Sequence, residues 1–535
     1  MLKTINLIIC TMLGFSGIGQ VEITNQNSLG GDIRMTSPPL VNGENGNYYL
    51  LTSTSASGES GNLDVSEYDG TYLILVKYNE SNEIVWQKSY YGSESDVSTS
   101  ILFKDSSVYL LSYSNSPISG NKSAENYGGK DYWLLKVDTD GEIIWQKTYG
   151  GDNRELPSNM NFLDDGNILL SGVSNSGISG VKSEPAIGTR DLWIVKVADT
   201  DGEIIWDKTI GSLGQEYSSS LAETDEGNII ISSLSDGDVG GDKTEPKYGN
   251  LDVWIVSLDK DGNKIWDKTV GGLGFELSGH FVLKDDLIYL FAQSESSIGG
   301  ARIVPLKGSM DIWMLTLSIE DGSIINQFSY GGNKNERIYS VSYLRDDLIF
   351  LSASSDSDIS GDKDEEGRGQ LDYWPILINE DGNLLWQTTI GGSNDDVLQN
   401  ILERPNNKLL LAGLSKSRVS GDRTATYYGS LTGEDVWLVE IDATILSTDE
   451  AEIELVNVDV YPNPFVDELH LKMEQPNKIE KVIIRDIQGK LVWESSIKDQ
   501  NQTILTLPTP NFESGTYLIN VTGEGFSMLK RVVKL

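Results

Sequence analysis

The sequence predicts an all-β chain: a seven-bladed β-propeller closed by pairing of its N- and C-terminal strands, followed by a small Ig-like β-sandwich. Three observations predict it. A unit of about sixty residues recurs in tandem, which is an architectural signature. Each unit strings strand-like runs between Asp-Gly turns and shows no helical period. The two ends of the array carry complementary fragments of one unit. The clearest copy runs from Asp131 to Gly172, DYWLLKVDTDGEIIWQKTYGGDNRELPSNMNFLDDGNILLSG, and related copies open at Asp191, Asp252, Asp311 and Asp372.

Four short strands fit each unit. Strand one follows the Asp-x-Trp (Trp133 to Val137), and strand two is the Ile-Ile-Trp-x-Lys-Thr run around Trp145. Asp-Gly pairs lie between them at Asp140-Gly141, Asp201-Gly202, Asp261-Gly262, Asp321-Gly322 and Asp381-Gly382. Such pairs favour tight hairpins because glycine takes positive φ without a steric penalty. Strand three covers Pro157 to Leu163, and strand four runs from Asn167 to Val173 after a second turn at Asp165-Gly166. Strand four joins bulky residues to small ones (ILLSG at Ile168, LLLAG at Leu409), which marks it as the candidate inner strand, where strands crowd an axis.

Counting copies predicts closure. Strand one occurs at Tyr72, Tyr132, Leu192, Val253, Ile312, Tyr373 and Val436, seven times, and strand four also occurs seven times, from Asn47 to Leu409. The segment VEITNQNSLGGD from Val21 aligns with strand two, with Asn25 at the Trp position. The array therefore begins on a strand two and ends on a strand one, and pairing them removes the exposed edges of a linear stack. An open β-solenoid gives no reason for that offset.

The predicted boundaries are a signal peptide at 1–19, the propeller at 20–443, a linker at 444–455 and a C-terminal domain at 456–535. The leader MLKTINLIICTMLGFSGIGQ has a basic start at Lys3, an apolar run and small residues before a cut after Gly19. Reading Cys10 as a lipoprotein cysteine is the weaker alternative, since Ile9 stands where a small residue is wanted. Cys10 is the only cysteine, so the processed chain has no thiol for disulfides, nucleophiles or metal sites. The net charge of -39 argues against nucleic acid and anionic membrane surfaces as partners. No transmembrane span is expected. After Thr444 the pattern changes to VDVYPNPFVDELHLKM, KVIIRDIQGKLVWES and a final basic strand, which reads as a small β-sandwich.

That last segment resembles the type A C-terminal sorting domain carried by cargo of the type IX secretion system of Bacteroidetes. The matching residues are Tyr461, Pro462, Asn463 and Pro464 before Phe465, then Gly489 and Lys490, then Gly515 and Tyr517, and the terminal Lys530 to Leu535. The resemblance implies export across the outer membrane by the type IX machinery, with release or display at the cell surface, and says nothing of the cargo's activity. The upstream repeats look like the Asp-Tyr-Trp, Trp-Gln-Lys and Gly-Gly repeats that precede such sorting domains. They are more distantly similar to quinoprotein-type propellers, with no quinone-binding set to carry over.

Candidate functional residues are few. The tryptophans of strands one and two are either aromatic platforms for sugars or packing between blades, and their fixed place in every blade favours packing. Ten residues after each strand-two Trp position stands a carboxylate: Asp96, Glu155, Glu216, Glu276, Glu336 and Asp396, with Met35 the exception. Seven-fold logic puts these on one rim, either as a binding or cation site or as acceptors for their own Gly-Gly loops. A second loop recurs as SGNKS at Ser119, SGVKS at Ser179, GGDKT at Gly240, SGDKD at Ser360 and SGDRT at Ser420. It shares a face with the Gly-Gly loops, so that face is the predicted binding face. Asp356, Asp358, Asp362 and Asp364 make calcium the only cofactor candidate, although their spacing matches no EF-hand loop. With only His280 and His470 in the chain, no catalytic triad or histidine metal site is expected, and no catalytic residue is assigned. The expected function is a non-enzymatic binding or adhesion module for an extracellular protein or polysaccharide. The alternative is a glycosidase or lyase using carboxylates of that face.

Overall fold

The computed structural model describes residues 21–31, 35–36, 38–55, 61–64, 70–344, 348–429, 433–443, 458–473, 479–486, 491–496, 504–508, 512, 514–523 and 526–534. The leader at 1–19, the linker at 444–455, Gly489 and Lys490 lie outside the described residues. The chain divides into two compact units, Met1–Leu446 and Ser447–Leu535, and every regular element among the described residues is a strand.

The first unit holds seven antiparallel sheets among the described residues. In one of them Glu155–Phe162, Ile168–Ser174, Asp191–Val197 and Ile204–Ile210 lie side by side, which is the order strand three, four, one, two. One sheet draws on both ends of this unit: Asp396–Arg404, Lys408–Ser415 and Asp435–Asp442 are completed by Ile23–Leu29. Asn25 pairs with Glu440 there as Trp206 pairs with Lys196, so the expected alignment of Val21 onwards with strand two is the observed register. In another sheet Pro375, which has no N–H to give, splits strand one into Asp372–Tyr373 and Ile376–Asn379.

Strand three, not strand four, is the strand that touches its counterparts in neighbouring sheets. Asp96–Lys104 touches Glu155–Phe162, and contacts pass on to Glu216–Glu223, His280–Lys284, Glu336–Leu344, Asp396–Arg404, Leu40–Asn42 and back to Asp96–Lys104. The register slips within strand three, for instance between Pro157 and Asn159 and between Leu398 and Asn400. That bulge explains the small residues of strand four. A Cβ on Gly172 would meet Leu156 O at 2.1 Å and Pro157 Cα at 2.6 Å, so the glycine admits the bulged backbone beside it.

The tryptophans pack rather than present. Trp133, Trp193, Trp254, Trp313, Trp374 and Trp437 of strand one are fully buried. The strand-two tryptophans reach under the Asp-Gly hairpin of the following sheet: Trp86 lies against Gly141, Trp145 against Gly202, Trp206 against Gly262 and Trp266 against Gly322. Where Asn326 breaks the series, Phe328 two residues on takes the place against Gly382. Tyrosine hydroxyls reinforce the seams, Tyr149 donating to Gly202 O at 2.7 Å and Tyr330 to Gly382 O at 2.7 Å.

The second unit is two sheets sharing a core. Val458–Tyr461, Glu468–Met473 and Ile504–Pro508 form one; Leu491–Ser496, Ile479–Asp486, Gly515–Gly523 and Phe526–Lys534 form the other. Phe465, Leu471, Ile484, Tyr517 and Val532 are buried between them. Asn463 ties the Tyr-Pro-Asn-Pro turn to the last strand: Val533 N donates to Asn463 Oδ1 at 2.9 Å, and Phe465 N donates to Val533 O at 2.8 Å. Tyr461, Pro462 and Pro464 are exposed, and Gly515 opens the strand that carries the buried Tyr517.

Candidate functional site

The repeat builds one junction over and over, where the loop from strand four to strand one meets the Gly-Gly loop leading to the next sheet. The two loops bond to each other: Asp242 N donates to Gly211 O at 2.7 Å, and Gly211 N donates to Asp242 Oδ2 at 3.0 Å. Both loop types therefore lie on one face, as the alternation of strands requires.

Beneath that face the six predicted carboxylates, Asp96, Glu155, Glu216, Glu276, Glu336 and Asp396, are all fully buried. They are not a rim open to solvent, so of the two readings the one that makes them acceptors for their own Gly-Gly loops describes their surroundings. Each is an acceptor for its own loop. Gly92 N donates to Asp96 at 2.7 Å, Gly151 N to Glu155 at 2.8 Å, Gly272 N to Glu276 at 3.1 Å and Gly392 N to Asp396 at 2.6 Å. Glu216 takes Ser212 N and the hydroxyls of Ser212 and Ser235, and Glu336 takes the hydroxyls of Ser355 and Ser357. Met35, the exception in sequence, is buried among apolar residues.

Two further members of this junction escaped sequence reasoning as a group. The aspartate of each Asp-x-Trp caps the long loop: Asp131 accepts Tyr127 N at 2.5 Å and Asp252 accepts Tyr248 N at 2.6 Å. The cation of the Ser-Gly-x-Lys loop turns inward, so Lys122, Lys182, Lys243, Arg302, Lys363 and Arg423 are buried with it. Arg423 meets Asp435 at 3.2 Å and Arg302 meets Asp311 at 3.6 Å, while Lys243 is surrounded by Asp252, Asp267 and Glu216. The aspartate of one sheet also faces the glutamate of the next, as Asp131 faces Glu155 and Asp252 faces Glu276. The signal was a Lys or Arg fixed at one place in six copies of a loop that composition alone marks as exposed, with Leu63 there in the copy at Ser60.

Burial dominates the electrostatics of this belt. It pushes Asp131 and Glu216 up to about 7, and Glu276, Asp396 and Asp435 up to about 6, and it pulls Lys122 and Lys243 down to about 8. His280, in a strand three, is pulled down to about 4 by burial, so it is neutral near pH 7. Three of the four acids of the calcium candidate loop are engaged by protein donors, and Asp364 is exposed. Asp356 accepts Asn335 N at 2.7 Å, Asp362 accepts Gly331 N at 2.9 Å, and Asp358 meets Lys334 at 3.3 Å. Among the described residues no group of three or more His, Cys, Asp or Glu side chains is placed to hold a metal ion. The Asp-Gly hairpins are likewise closed on themselves, Asp138 Oδ1 accepting Asp140 N and Glu142 N at 2.9 Å.

Beside exposed polar residues, the face displays an aliphatic side chain at one recurring position. Ile118, Ile178, Val239, Ile298, Ile359 and Val419, one from each of six equivalent loops, are between 53% and 68% exposed.

Residues 459–535 match the family described as the secretion system C-terminal sorting domain. The chain is thus type IX secretion cargo, exported to the extracellular medium or the cell surface. Among the described residues no helix is long and apolar enough to cross a membrane. The regulatory protein FlaEY of Caulobacter vibrioides is 21% identical over 221 residues, a match covering 40% of this chain and 22% of that relative's length. Among solved structures, a Dyadobacter fermentans protein of unknown function is 14% identical, covering 67% of this chain and 99% of its own at a TM-score of 0.40. An ulvan lyase of polysaccharide lyase family PL25 is 10% identical (72% and 93%, TM-score 0.42), as is the phage phi92 endosialidase (94% and 87%, TM-score 0.40).

Proposed function

We propose that residues 20–443 form a closed seven-bladed β-propeller whose loop-bearing face binds an extracellular protein or polysaccharide without turning it over. The cycle of strand-three contacts and the pairing of Ile23–Leu29 with Asp435–Asp442 support closure. The observation that carries the binding reading is the repeated exposure of one Ile or Val at the same loop position in six sheets. Large aliphatic side chains displayed in register on one face are what an interaction surface needs, whereas singly scattered ones are ordinary on any protein surface. The recurrent acids support it from the other side, because carboxylates sealed under their loops and engaged by N–H and hydroxyl donors are not free to protonate a leaving group. Export supplies the setting, with partners met outside the cell.

The test is to screen the exported chain on a glycan array and a panel of extracellular matrix proteins, and in parallel against chromogenic polysaccharides. Binding without product is the expected result. Turnover abolished by a single substitution of an exposed carboxylate of that face, Asp238→Asn or Asp358→Asn, would overturn it in favour of a carbohydrate-active enzyme.

A further inference from the structure

Two adjacent sheets depart from the rest of the loop face in a coupled way. At the position after the Gly-Gly pair the chain carries Ser93, Asp152, Asn333 and Ser393 in four junctions, but Leu213 and Leu273 in the other two. At the first position of the Ser-Gly-x-Lys loop it carries Ser119, Ser179, Ser360 and Ser420, but Gly240 and Gly299 beside those same leucines. The serine normally fastens the two loops: Ser179 Oγ accepts Asp152 N at 2.8 Å, Ser360 Oγ accepts Asn333 N at 3.0 Å and Ser420 Oγ accepts Ser393 N at 2.9 Å. A Cβ on Gly240 would stand 2.6 Å from Leu213 Cδ1, and one on Gly299 would stand 2.7 Å from Leu273 Cδ1. The glycines make room for the leucines. Twice, then, a polar tie between loops is replaced by a leucine that is 67% (Leu213) or 61% (Leu273) exposed, an exchange that adds nothing to the core.

The same sector gathers other apolar side chains at positions that are polar elsewhere. Phe275 stands where the other junctions have Ser95, Arg154, Gln215, Asn335 and Asp395, and Ile303 where they have Ser123, Ser183, Thr244, Asp364 and Thr424. Phe275 is 41% and Ile303 70% exposed. Tyr248 of one loop packs on Gly300 of the next, so Leu213, Val239, Leu273, Phe275, Ile298 and Ile303 belong to neighbouring loops in contact. The charge beside them is acidic. Asp238 and Glu295 are exposed, while Lys243 and Arg302 are buried, Lys247 is held on Asp236 O and Lys307 is engaged by Asp362.

We propose that this sector is the docking site for a protein segment presenting aliphatic side chains flanked by Lys or Arg. The proposal rests on the binding role of the loop face and specifies where on it the partner sits. Apolar contact supplies the attraction, and the acids select basic flanks against acidic ones. A second copy of this chain would bring acid against acid.

The experiment displays a randomised 12-residue peptide library to the full chain and to the variant L213N/L273N, which puts polar side chains where the sibling loops have them and leaves Gly240 and Gly299, whose φ of 147° and 150° a side chain would strain. Enrichment of aliphatic peptides with Lys or Arg flanks, binding at least tenfold weaker to the variant, and weakening with added salt are expected. Peptides held equally by the variant but lost from I118N/I178N would overturn this site and leave the binding face standing. Recovery of no peptide overturns this proposal alone, since the glycan and matrix-protein screen judges the face separately. Self-association in sedimentation that the variant abolishes would make the occupant a second copy and overturn it too. Should the double variant fail to melt like the parent, I303T alone replaces it with the same criteria.

Discussion

Glu216 gives a sharp test of the buried belt. Its carboxyl is fully buried, accepts from Ser212 and Ser235, and is pushed by burial from 4.5 up to about 7. In the unfolded chain it titrates near 4.5, so between that pH and 7 the folded state holds a proton that the unfolded state has released. Stability from this group is therefore fully present below pH 4.5 and is lost as pH rises through 7, the reverse of ordinary acid denaturation. A rise of that size corresponds to about 3 kcal/mol at full burial. Glu216→Gln removes the titration and gives up an acceptor, a loss of about 1 kcal/mol at low pH. The wild type should thus lead the variant at pH 4.5 and lose that lead by pH 8, the difference moving by up to about 3 kcal/mol. Urea unfolding of both proteins at pH 4.5, 6, 7 and 8, followed by tryptophan fluorescence, measures it. Taking the difference cancels His280, whose low pKa pushes the other way. A difference flat with pH, or one that grows toward pH 8, would refute the assignment of burial as the dominant effect.

Three further outcomes follow from the packing and the loops. Phe328→Ala should destabilise by about 2 kcal/mol in urea unfolding, short of a fully buried phenylalanine because the side chain is only partly enclosed. Asn326→Trp should give no gain, since Phe328 already occupies the place against Gly382. Adding a calcium chelator should leave the melting temperature unchanged, because Asp356 and Asp362 are engaged by backbone N–H groups and Asp358 by Lys334; a clear drop would restore a calcium site.

The strands and their order along the chain were legible because period-two runs and Asp-Gly turns are local signals. The pairing of Ile23–Leu29 with Asp435–Asp442 was legible too, because a lone strand two at one end and a lone strand one at the other each lack the neighbour that the opposite end supplies. Strand four was the candidate for the strand where sheets crowd together, on its small residues, but strand three makes the contacts between sheets. Gly172 is small to admit the bulge in strand three, a relation between neighbours that no single-strand pattern displays. The carboxylates were found, with acceptance from their own Gly-Gly loops as one of two readings, but the buried cation was not: position in the repeat says that Glu155 recurs, not that Lys182 turns inward beside it. The aliphatic tips gave no signal because one exposed Ile per loop carries no weight until the loops share a face. The sorting segment was plain from Tyr461 to Pro464 and from Gly515 to Tyr517, where a turn and a strand start leave their marks in the chain itself.

Closure requires the two ends of the repeat array to meet in one sheet. Asn27 and Leu438 are directly opposed across that pairing, and residues 20–535 hold no cysteine. The variant N27C/L438C, oxidised and compared with its reduced form by non-reducing electrophoresis and thermal melting, is predicted to form an intramolecular disulfide in good yield and to melt higher. The chain-entropy limit for so long a loop is about 6 kcal/mol. Failure to cross-link in the folded protein, or cross-linking only between molecules, would contradict it.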